Sequence, residues 1–260
     1  MSKTKLVARG TIMRFLTAIP VYNEKKTVRV ILEQVRSFSD SILVIDDGST
    51  DGTSEELNKL DWVRTIRHEQ NKGYGGALIS AFNYACKSLE FDALLTMDCD
   101  GQHEPSRATS LIAALDNADI ASGSRYLEHF STDVSAPADR MQVNQIITSE
   151  LNASLGLNLT DAFCGYKGYR IAALSKLNIS ETGWGMPLQV WVQAARLGLR
   201  IKELPVPRIY LDATRSFGTT LDNANERLEY YRRVIKKELI NFPENHHSDR
   251  APCKCMGNLI

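Results

Sequence analysis

The sequence predicts an α/β fold in which helices flank a largely parallel β-sheet. Two observations support this fold. Short apolar runs of strand length alternate with amphipathic, helix-like stretches between residues 14 and 122. No repeat or linker divides the 260 residues, a length that suits one domain with a sizeable core. Strands that alternate with helices form βαβ units, whose strands are parallel and whose crossovers are right-handed.

Each predicted strand is a short apolar run of the length and composition of a buried strand. These runs comprise residues 15–19, 41–45, 62–67, 93–97, 119–122 and 200–206. Each predicted helix has apolar residues three or four positions apart, which places them on one face. These helices span residues 28–35, 78–85, 103–115, 141–155, 187–197 and 221–239. The polar stretch 126–139 is predicted to be a mobile loop.

The organisation of the chain follows from a change in regularity near residue 123. We expect an N-terminal extension over residues 1–13, one domain over 14–240 and a flexible tail over 241–260. The domain itself has a regular half, 14–122, and a less regular half, 123–240.

The composition excludes several classes of protein. Lys and Arg number 31, as do Asp and Glu, so the sequence lacks the basic excess of a protein that coats nucleic acid. No run approaches the roughly 18 apolar residues of a membrane-spanning helix. The five cysteines do not have the number or spacing of a disulfide framework, so we expect a reducing, cytoplasmic environment.

Acidic side chains follow the apolar strand that ends at Met97. Asp98 and Asp100 are one residue apart, and the turn after them lets both carboxylates reach one hard divalent cation. Gln102 can add a neutral oxygen ligand. Such a cation binds diphosphate oxygens and stabilises a departing nucleoside diphosphate. The alternative is that the two carboxylates only cap the turn before the next helix.

A second acidic pair, Asp46 and Asp47, ends an earlier strand. Gly48 gives the following turn its conformational freedom, and residues 49–51 can cap the next helix. Adjacent carboxylates repel one another unless a cation or a hydrogen-bond donor meets them. A nucleobase imide N–H or a ribose hydroxyl would be such a donor.

A Gly-rich stretch, residues 71–76, precedes a predicted helix. Helix N-termini attract phosphate, and Lys72 beside Gly73 adds a mobile positive charge. The order of residues is not that of a P-loop. Three arginines in the irregular regions, Arg125, Arg140 and Arg215, flank loops expected near the carboxyl edge of the sheet. Arginine there can bind a donor or acceptor phosphate through two parallel hydrogen bonds.

The last predicted helix, 221–239, has an apolar stripe beside a row of basic residues. Packing of this stripe against the domain is the simplest interpretation. The alternatives are peripheral contact of the 221–240 segment with an anionic membrane surface and contact with a second subunit in a homodimer.

Six motifs stand in a fixed order along the chain. They are PVYNE (20–24), VIDDGSTDGT (44–53), NKG (71–73), MDCDGQH (97–103), SGSRY (122–126) and TDAFCGYK (160–167). Together they resemble the inverting glycosyltransferases of family 2, above all the branch that transfers sugars to dolichyl or polyprenyl phosphate. The resemblance covers about residues 14–218. It implies a GT-A fold, a UDP- or GDP-sugar donor and a Mg²⁺ or Mn²⁺ ion.

The resemblance and the residue patterns together give each candidate a role, with donor binding in 14–122 and acceptor binding in 123–240. The residues expected to bind the nucleotide sugar are Pro20, Tyr22, Glu24, Asp46, Asp47, Lys72, Gly73 and Asp98. Those expected to hold the ion are Asp98, Asp100 and Gln102. Those expected to act on the acceptor side are Arg125, Arg140, Asp161 and Arg215.

The acceptor decides which of these residues matter most. A lipid phosphate is already ionised, so its attack needs positioning arginines and no strong base. A hydroxyl acceptor in a glycan or glycolipid needs a carboxylate base, for which Asp161 is the candidate. The loop 126–139 is expected to close over the donor.

The sequence departs from the family at one position and leaves other classes open. Trp191 stands where the branch usually has an acidic residue, which bears on the acceptor or the sugar. A haloacid-dehalogenase-like phosphatase would also have an apolar strand followed by D-x-D-G, and a sugar-1-phosphate nucleotidyltransferase would also have a metal-binding Asp. A non-catalytic nucleotide-sugar-binding scaffold is the alternative from a different class, although the D-x-D motif is intact.

Overall fold

The structure is a computed structural model that describes residues 5–8, 11–211, 216–217 and 219–243. Its side chains are described from Met13 onwards, apart from that of Thr219. Arg215 and residues 244–260 of the expected tail lie outside the described residues. The division into extension, domain and tail stays a prediction.

Eight strands and eight α-helices make up the described part of the chain. The strands β1 to β8 are Lys5–Ala8, Thr11–Val21, Ile42–Asp46, Arg64–Arg67, Ala93–Thr96, Ile120–Ser124, Lys167–Arg170 and Ile201–Pro205. The helices α1 to α8 are Val28–Val35, Thr53–Leu57, Tyr74–Lys87, Ala108–Ala114, Ala138–Leu155, Ile171–Leu174, Met186–Arg196 and Ala224–Asn241. Two short 3₁₀ helices, Pro105–Arg107 and Thr219–Asp222, precede α4 and α8.

Seven strands form the central sheet in the order β4-β3-β2-β5-β7-β6-β8. The neighbours β2–β3, β2–β5, β3–β4 and β6–β8 are parallel, whereas β7 is antiparallel to both β5 and β6. The predicted α/β fold with a mostly parallel sheet is confirmed. Because ligands of such sheets bind beyond the carboxyl ends of the strands, the loops after β2, β3, β5 and β6 are the place for a site.

Three strands, β1, β2 and β7, differ most from the prediction. β2 begins at Thr11 instead of residue 15, and its first residues pair antiparallel with β1, inside the stretch expected to be an extension. β7 was not predicted, because Lys167-Gly168-Tyr169-Arg170 lacks an apolar alternation. Pairing with a strand on each side satisfies its backbone hydrogen bonds, and this tertiary support outweighs its composition.

The hydrophobic core lies in two layers, one on each face of the sheet. Alternate residues of β2 point to opposite faces, so Leu16 and Ala18 enter one layer while Phe15 and Ile19 enter the other. The first layer packs against α3, α5, α7 and α8, and the second packs against α1 and α4.

Helix α8 packs against α5 and α7 through Tyr231, Val234 and Ile235, which are buried. The apolar stripe predicted in this helix therefore contributes to the core. Within the described ranges, no helix has both the length and the apolar character that crossing a bilayer requires. Cys86, Cys99 and Cys164 are free thiols.

Candidate active site

A cavity of about 590 Å³ opens at the carboxyl ends of the central strands. Ten of the predicted site residues line it: Pro20, Tyr22, Glu24, Asp47, Gly73, Asp98, Asp100, Gln102, Arg125 and Arg140. Three others, Asp46, Lys72 and Asp161, are not among the lining residues. The fold thus brings together motifs that lie far apart in the sequence.

Asp46 supports the turn after β3 instead of facing the cavity. Its carboxylate is fully buried and accepts hydrogen bonds from the Ser49 amide, at 2.9 Å, and from the Ser54 hydroxyl. Arg67 Nε lies 3.6 Å from its Oδ2 atom. These partners explain why one of two adjacent carboxylates is tolerated in the interior. Asp46 thus lies outside the cavity lining, and its expected contact with the donor stays a prediction.

Asp47 organises the Gly-rich loop next to the cavity. Its Oδ1 accepts the Lys72 amide at 2.9 Å, and its Oδ2 accepts the Gly73 amide at 2.9 Å. The His68 ring contributes a further hydrogen bond, with Nδ1 2.6 Å from Asp47 Oδ1, and its Nε2 lies 2.8 Å from Ser80 Oγ. Lys72 therefore acts here through its backbone, while its side chain lies at the surface outside the cavity.

The two carboxylates of the D-x-D motif both face the cavity after β5. Asp98 Oδ1 accepts a hydrogen bond from the Tyr74 hydroxyl at 3.2 Å, and Asp100 Oδ1 accepts the Gln102 amide at 3.0 Å. Burial raises the pKa of Asp98, and burial together with the charge of Asp98 raises the pKa of Asp100. A cation between them would favour the ionised form of both.

His103 supports the turn after β5 that carries Asp98 and Asp100. Its Nδ1 accepts the Asp98 amide at 3.1 Å, and its ring stacks on Tyr166 with the ring centres 5.0 Å apart. Burial lowers the pKa of His103 to about 4, so the ring is neutral at physiological pH. A neutral imidazole that accepts from the backbone is a support for the turn.

The donor set of this turn fits a hard divalent cation. Asp98 and Asp100 supply two carboxylates and Gln102 an amide oxygen, and all three line the cavity. The described residues hold no group of three or more His, Cys, Asp or Glu arranged to ligate a metal by themselves. An ion here would complete its coordination with ligand oxygens and water, as Mg²⁺ does when it binds one or two carboxylates and substrate phosphates.

Asp161 lies behind the cavity in a bidentate ion pair. Arg125 Nε is 2.7 Å from Asp161 Oδ2, and Arg125 Nη2 is 2.9 Å from Oδ1. The Asn144 side-chain amide donates to the same carboxylate at 2.8 Å. These donors outweigh the cost of burial and hold the pKa of Asp161 well below its ordinary value. A carboxylate so held is a poor proton acceptor, which argues against a general-base role.

Sequence reasoning missed a third arginine of the cavity, Arg227 of α8. Its guanidinium lies 4.6 Å from the Phe217 ring centre, and that of Arg140 lies 4.7 Å from the same centre. Arg227 Nη2 donates to Asp139 at 2.6 Å. The sequence pattern of the predicted helix did not distinguish Arg227 from the other basic residues of that helix. The role of Arg227 depends on contacts with distant segments.

Two aromatic residues of the cavity wall were also missed. Tyr74 and Trp184 stack with ring centres 5.0 Å apart and an interplanar angle of 13°. Trp184 Nε1 donates to the Phe217 carbonyl at 3.1 Å. The one available sequence signal was an aromatic residue within the Gly-rich stretch 71–76.

Trp191, the residue that departs from the family pattern, is fully buried and does not reach the cavity. Its Nε1 donates to the Ala162 carbonyl at 2.8 Å, next to Asp161. The Lys167 ammonium lies 5.2 Å from the Trp191 ring centre, a cation–π geometry. Trp191 therefore supports the segment that holds Asp161 and makes no contact with the cavity itself.

Comparison with known proteins finds a matching family and similar sequences. Residues 17–177 match glycosyl transferase family 2. The chain is 34% identical to the undecaprenyl-phosphate mannosyltransferase of Micrococcus luteus over 75% of its own length and 83% of that protein's. It is 30% identical to the polyprenol monophosphomannose synthase of Mycolicibacterium smegmatis over 74% and 76%.

A solved structure gives the same fold. The glucosyl-3-phosphoglycerate synthase of Mycobacterium tuberculosis, crystallised with Mn²⁺, UDP and glucosyl-3-phosphoglycerate, superposes with a TM-score of 0.66 at 18% identity. The superposition covers 90% of this chain and 82% of that one. The expected GT-A fold is confirmed. The phosphatase, nucleotidyltransferase and non-catalytic alternatives are set aside, because the chain is a glycosyltransferase that belongs to glycosyl transferase family 2.

Proposed function

We propose that the protein transfers a sugar from a nucleoside-diphosphate sugar to a polyprenyl phosphate, with Mg²⁺ or Mn²⁺ and with inversion at the anomeric carbon. One observation carries the proposal: the carboxylates of Asp98 and Asp100 and the guanidinium groups of Arg125 and Arg140 line the same cavity. The carboxylate side suits a cation with a diphosphate, and the arginine side suits a second phosphate.

The nature of the acceptor is supported by the state of Asp161. A hydroxyl acceptor needs a base, and the carboxylate that the sequence offered for this role is held by Arg125 and Asn144 with a lowered pKa. A phosphate monoester is already ionised and attacks without losing a proton. The names of the two bacterial relatives also specify a polyprenyl-type acceptor.

In this mechanism the residues of the chain bind and orient the donor and the acceptor and neutralise their charges. Asp98 and Asp100 would hold the ion, which supplies the charge that stabilises the leaving diphosphate. Arg125 and Arg140 would hold the acceptor phosphate in line with the anomeric carbon, opposite the leaving group. Asp47 would fix the Gly73 loop beside the donor through the backbone amides described above.

The names of the relatives indicate which sugar to test first. Both relatives act on mannose by name, so a mannosyl donor is the first to test, with GDP and UDP as alternative carriers. A lipid acceptor also requires access to a bilayer, and we place the enzyme at the cytosolic membrane face. Arg233, Lys236 and Lys237 of α8 are exposed and would suit an anionic membrane surface. Contact with a second subunit in a homodimer is the alternative role of this helix.

Ligand-dependent thermal stability tests the donor site. A ligand in excess raises the melting temperature by mass action. GDP, UDP and their sugars are titrated against the wild type, Asp100→Ala and the surface control Asp61→Ala, each without metal, with Mg²⁺ and with Mn²⁺. We expect one nucleotide to stabilise the wild type and Asp61→Ala in a metal-dependent way, and Asp100→Ala to lose this response. If no nucleotide stabilises the wild type with either metal, the proposal is wrong.

A transfer assay tests the acceptor. The donor identified above is incubated with polyprenyl phosphate or with the matching free polyprenol. We expect product only from the phosphate and none after chelation of the metal by EDTA. Equal transfer to the free alcohol would overturn the assignment of a phosphate acceptor while leaving the donor site intact.

A further inference from the structure

Tyr74 connects the Gly-rich loop to the D-x-D motif. It is the first residue of α3, directly after Gly73, whose amide is held by Asp47. From this position its hydroxyl donates to Asp98 Oδ1 at 3.2 Å. The hydroxyl is thus a neutral donor to a carboxylate that faces the cavity.

The other side of the Asp98 carboxylate is confined by Gly165. A Cβ atom at position 165 would overlap Asp98 Oδ2 and would lie 2.8 Å from the Tyr74 hydroxyl oxygen. Gly165 is itself anchored, because its carbonyl accepts the Thr96 hydroxyl at 2.8 Å. The carboxylate therefore has a hydrogen-bond donor on one oxygen and fixed backbone against the other, which restricts its rotation.

The ring of Tyr74 also has packing partners. It stacks on Trp184, and the Gly76 amide donates to the Thr182 carbonyl at 3.0 Å, which keeps the segment before Trp184 against α3. Gly75 permits this approach, because a Cβ atom there would lie 2.8 Å from Met186 Cβ. The hydrogen bond from the Tyr74 hydroxyl to Asp98 distinguishes this side chain from one that only fills space.

We propose that Tyr74 is a positioning residue that orients the Asp98 carboxylate for the divalent cation, and that Trp184 holds the Tyr74 ring in the required place. The inference rests on the proposed function, which makes Asp98 a ligand of the ion. Partners that orient a metal-ligating side chain affect metal affinity about 10- to 100-fold when they are removed. Tyr74 does not touch the reacting atoms in this account.

The test uses Tyr74→Phe, which keeps the stacked ring and removes only the hydroxyl. Mn²⁺ binding is measured by electron paramagnetic resonance on the full chain with GDP or UDP present. We expect the Mn²⁺ dissociation constant to rise about tenfold. The KM for the donor should rise with it, while the KM for polyprenyl phosphate stays unchanged. Trp184→Leu, which removes the stacking partner, should weaken Mn²⁺ binding in the same direction.

Tyr84→Phe is the matched control. Tyr84 is on the same helix, and its hydroxyl accepts from Arg64 at the surface. The control should bind Mn²⁺ as the wild type does, and both tyrosine variants should unfold at similar temperatures without metal. If Tyr74→Phe binds Mn²⁺ with unchanged affinity, the inference is wrong.

The inference and the proposed function fail separately. A tenfold loss of Mn²⁺ affinity in Tyr74→Phe, without any transfer to polyprenyl phosphate by the wild type, would support the role of Tyr74 and overturn the proposed function. A wild type that binds no Mn²⁺ with either nucleotide would overturn both.

Discussion

Two buried carboxylates, Asp47 in residues 14–122 and Asp161 in residues 123–240, are held by different partners. In residues 14–122, backbone amides of nearby turns and loops meet the carboxylates of Asp46 and Asp47. In residues 123–240, side chains from distant segments meet one another, as in the pairs Arg125–Asp161 and Arg227–Asp139. Backbone donors are present whatever the neighbouring side chains are, whereas an ion pair needs both partners. The surroundings of Asp161 should therefore be more sensitive to single substitutions than those of Asp47.

The largest effect is expected from Arg125→Ala. The change leaves Asp161 buried without its ionic partner, and removing one partner of a buried pair costs about 3–5 kcal/mol. Urea unfolding measures the loss. The control is Arg200→Ala, because Arg200 forms a comparable pair with Asp119 at the surface with 60% of its side chain exposed. Such pairs contribute about 0–1 kcal/mol. Similar costs for the two variants would contradict the comparison.

The next effect is a pH dependence. The folded state holds the pKa of Asp161 below its ordinary value of 3.8, so the carboxylate stabilises the protein above that pH. This stability is lost as the pH falls through the folded pKa. Between about pH 6 and pH 2, we expect the wild type to lose about 2 kcal/mol of unfolding free energy through protonation of this carboxylate. The double variant Arg125→Gln/Asp161→Asn should lack this loss. The measurement is the unfolding free energy of both proteins across that range, and parallel curves would contradict the prediction.

A substitution where the two halves meet should have an effect of similar or smaller size. The Cβ atom of Gly75→Ala would lie against Met186 and overlap the Glu181 carbonyl, and overpacking of this kind costs about 2 kcal/mol. Gly168→Ala is the control, since its nearest neighbours would be 3.5 Å away. Thermal unfolding compares the two. Equal stability of the two variants would contradict a tight contact between α3 and residues 181–186.

The smallest effect is expected at the start of α8. The Asn223 side chain accepts hydrogen bonds from the amides of Asn225 and Glu226 and so caps the helix that carries Arg227. Asn223→Ala should cost about 1 kcal/mol, measured by urea unfolding. Asn225→Ala removes the same side chain from within the helix and should not destabilise the protein. An equal loss in both would rule out capping as the cause.

The same contrast explains what the sequence could predict. The strands of the first half and the acidic residues after them are local patterns, and the structure places Asp47, Asp98 and Asp100 at the cavity as expected. Strand β7 was missed because its support comes from β5 and β6, which pair with it from both sides.

The contacts of the second half could not be predicted residue by residue. Arg227, Trp184 and Tyr74 acquire their roles from partners far away in the sequence. Asp161 was recognised as a residue of interest, but its role was not, since a pattern does not reveal that Arg125 and Asn144 occupy its oxygens.

The antiparallel strand β7 also sets the spacing between two strand ends at the cavity. β5 and β6 run in the same direction with β7 between them, so Asp98 and Arg125 follow strands that are two strand spacings apart, about 10 Å. In the proposed function, a sugar ring would lie in this gap between a phosphate bound on each side. The inserted strand thus keeps the end of β5, which precedes Asp98, apart from the end of β6, which precedes Arg125.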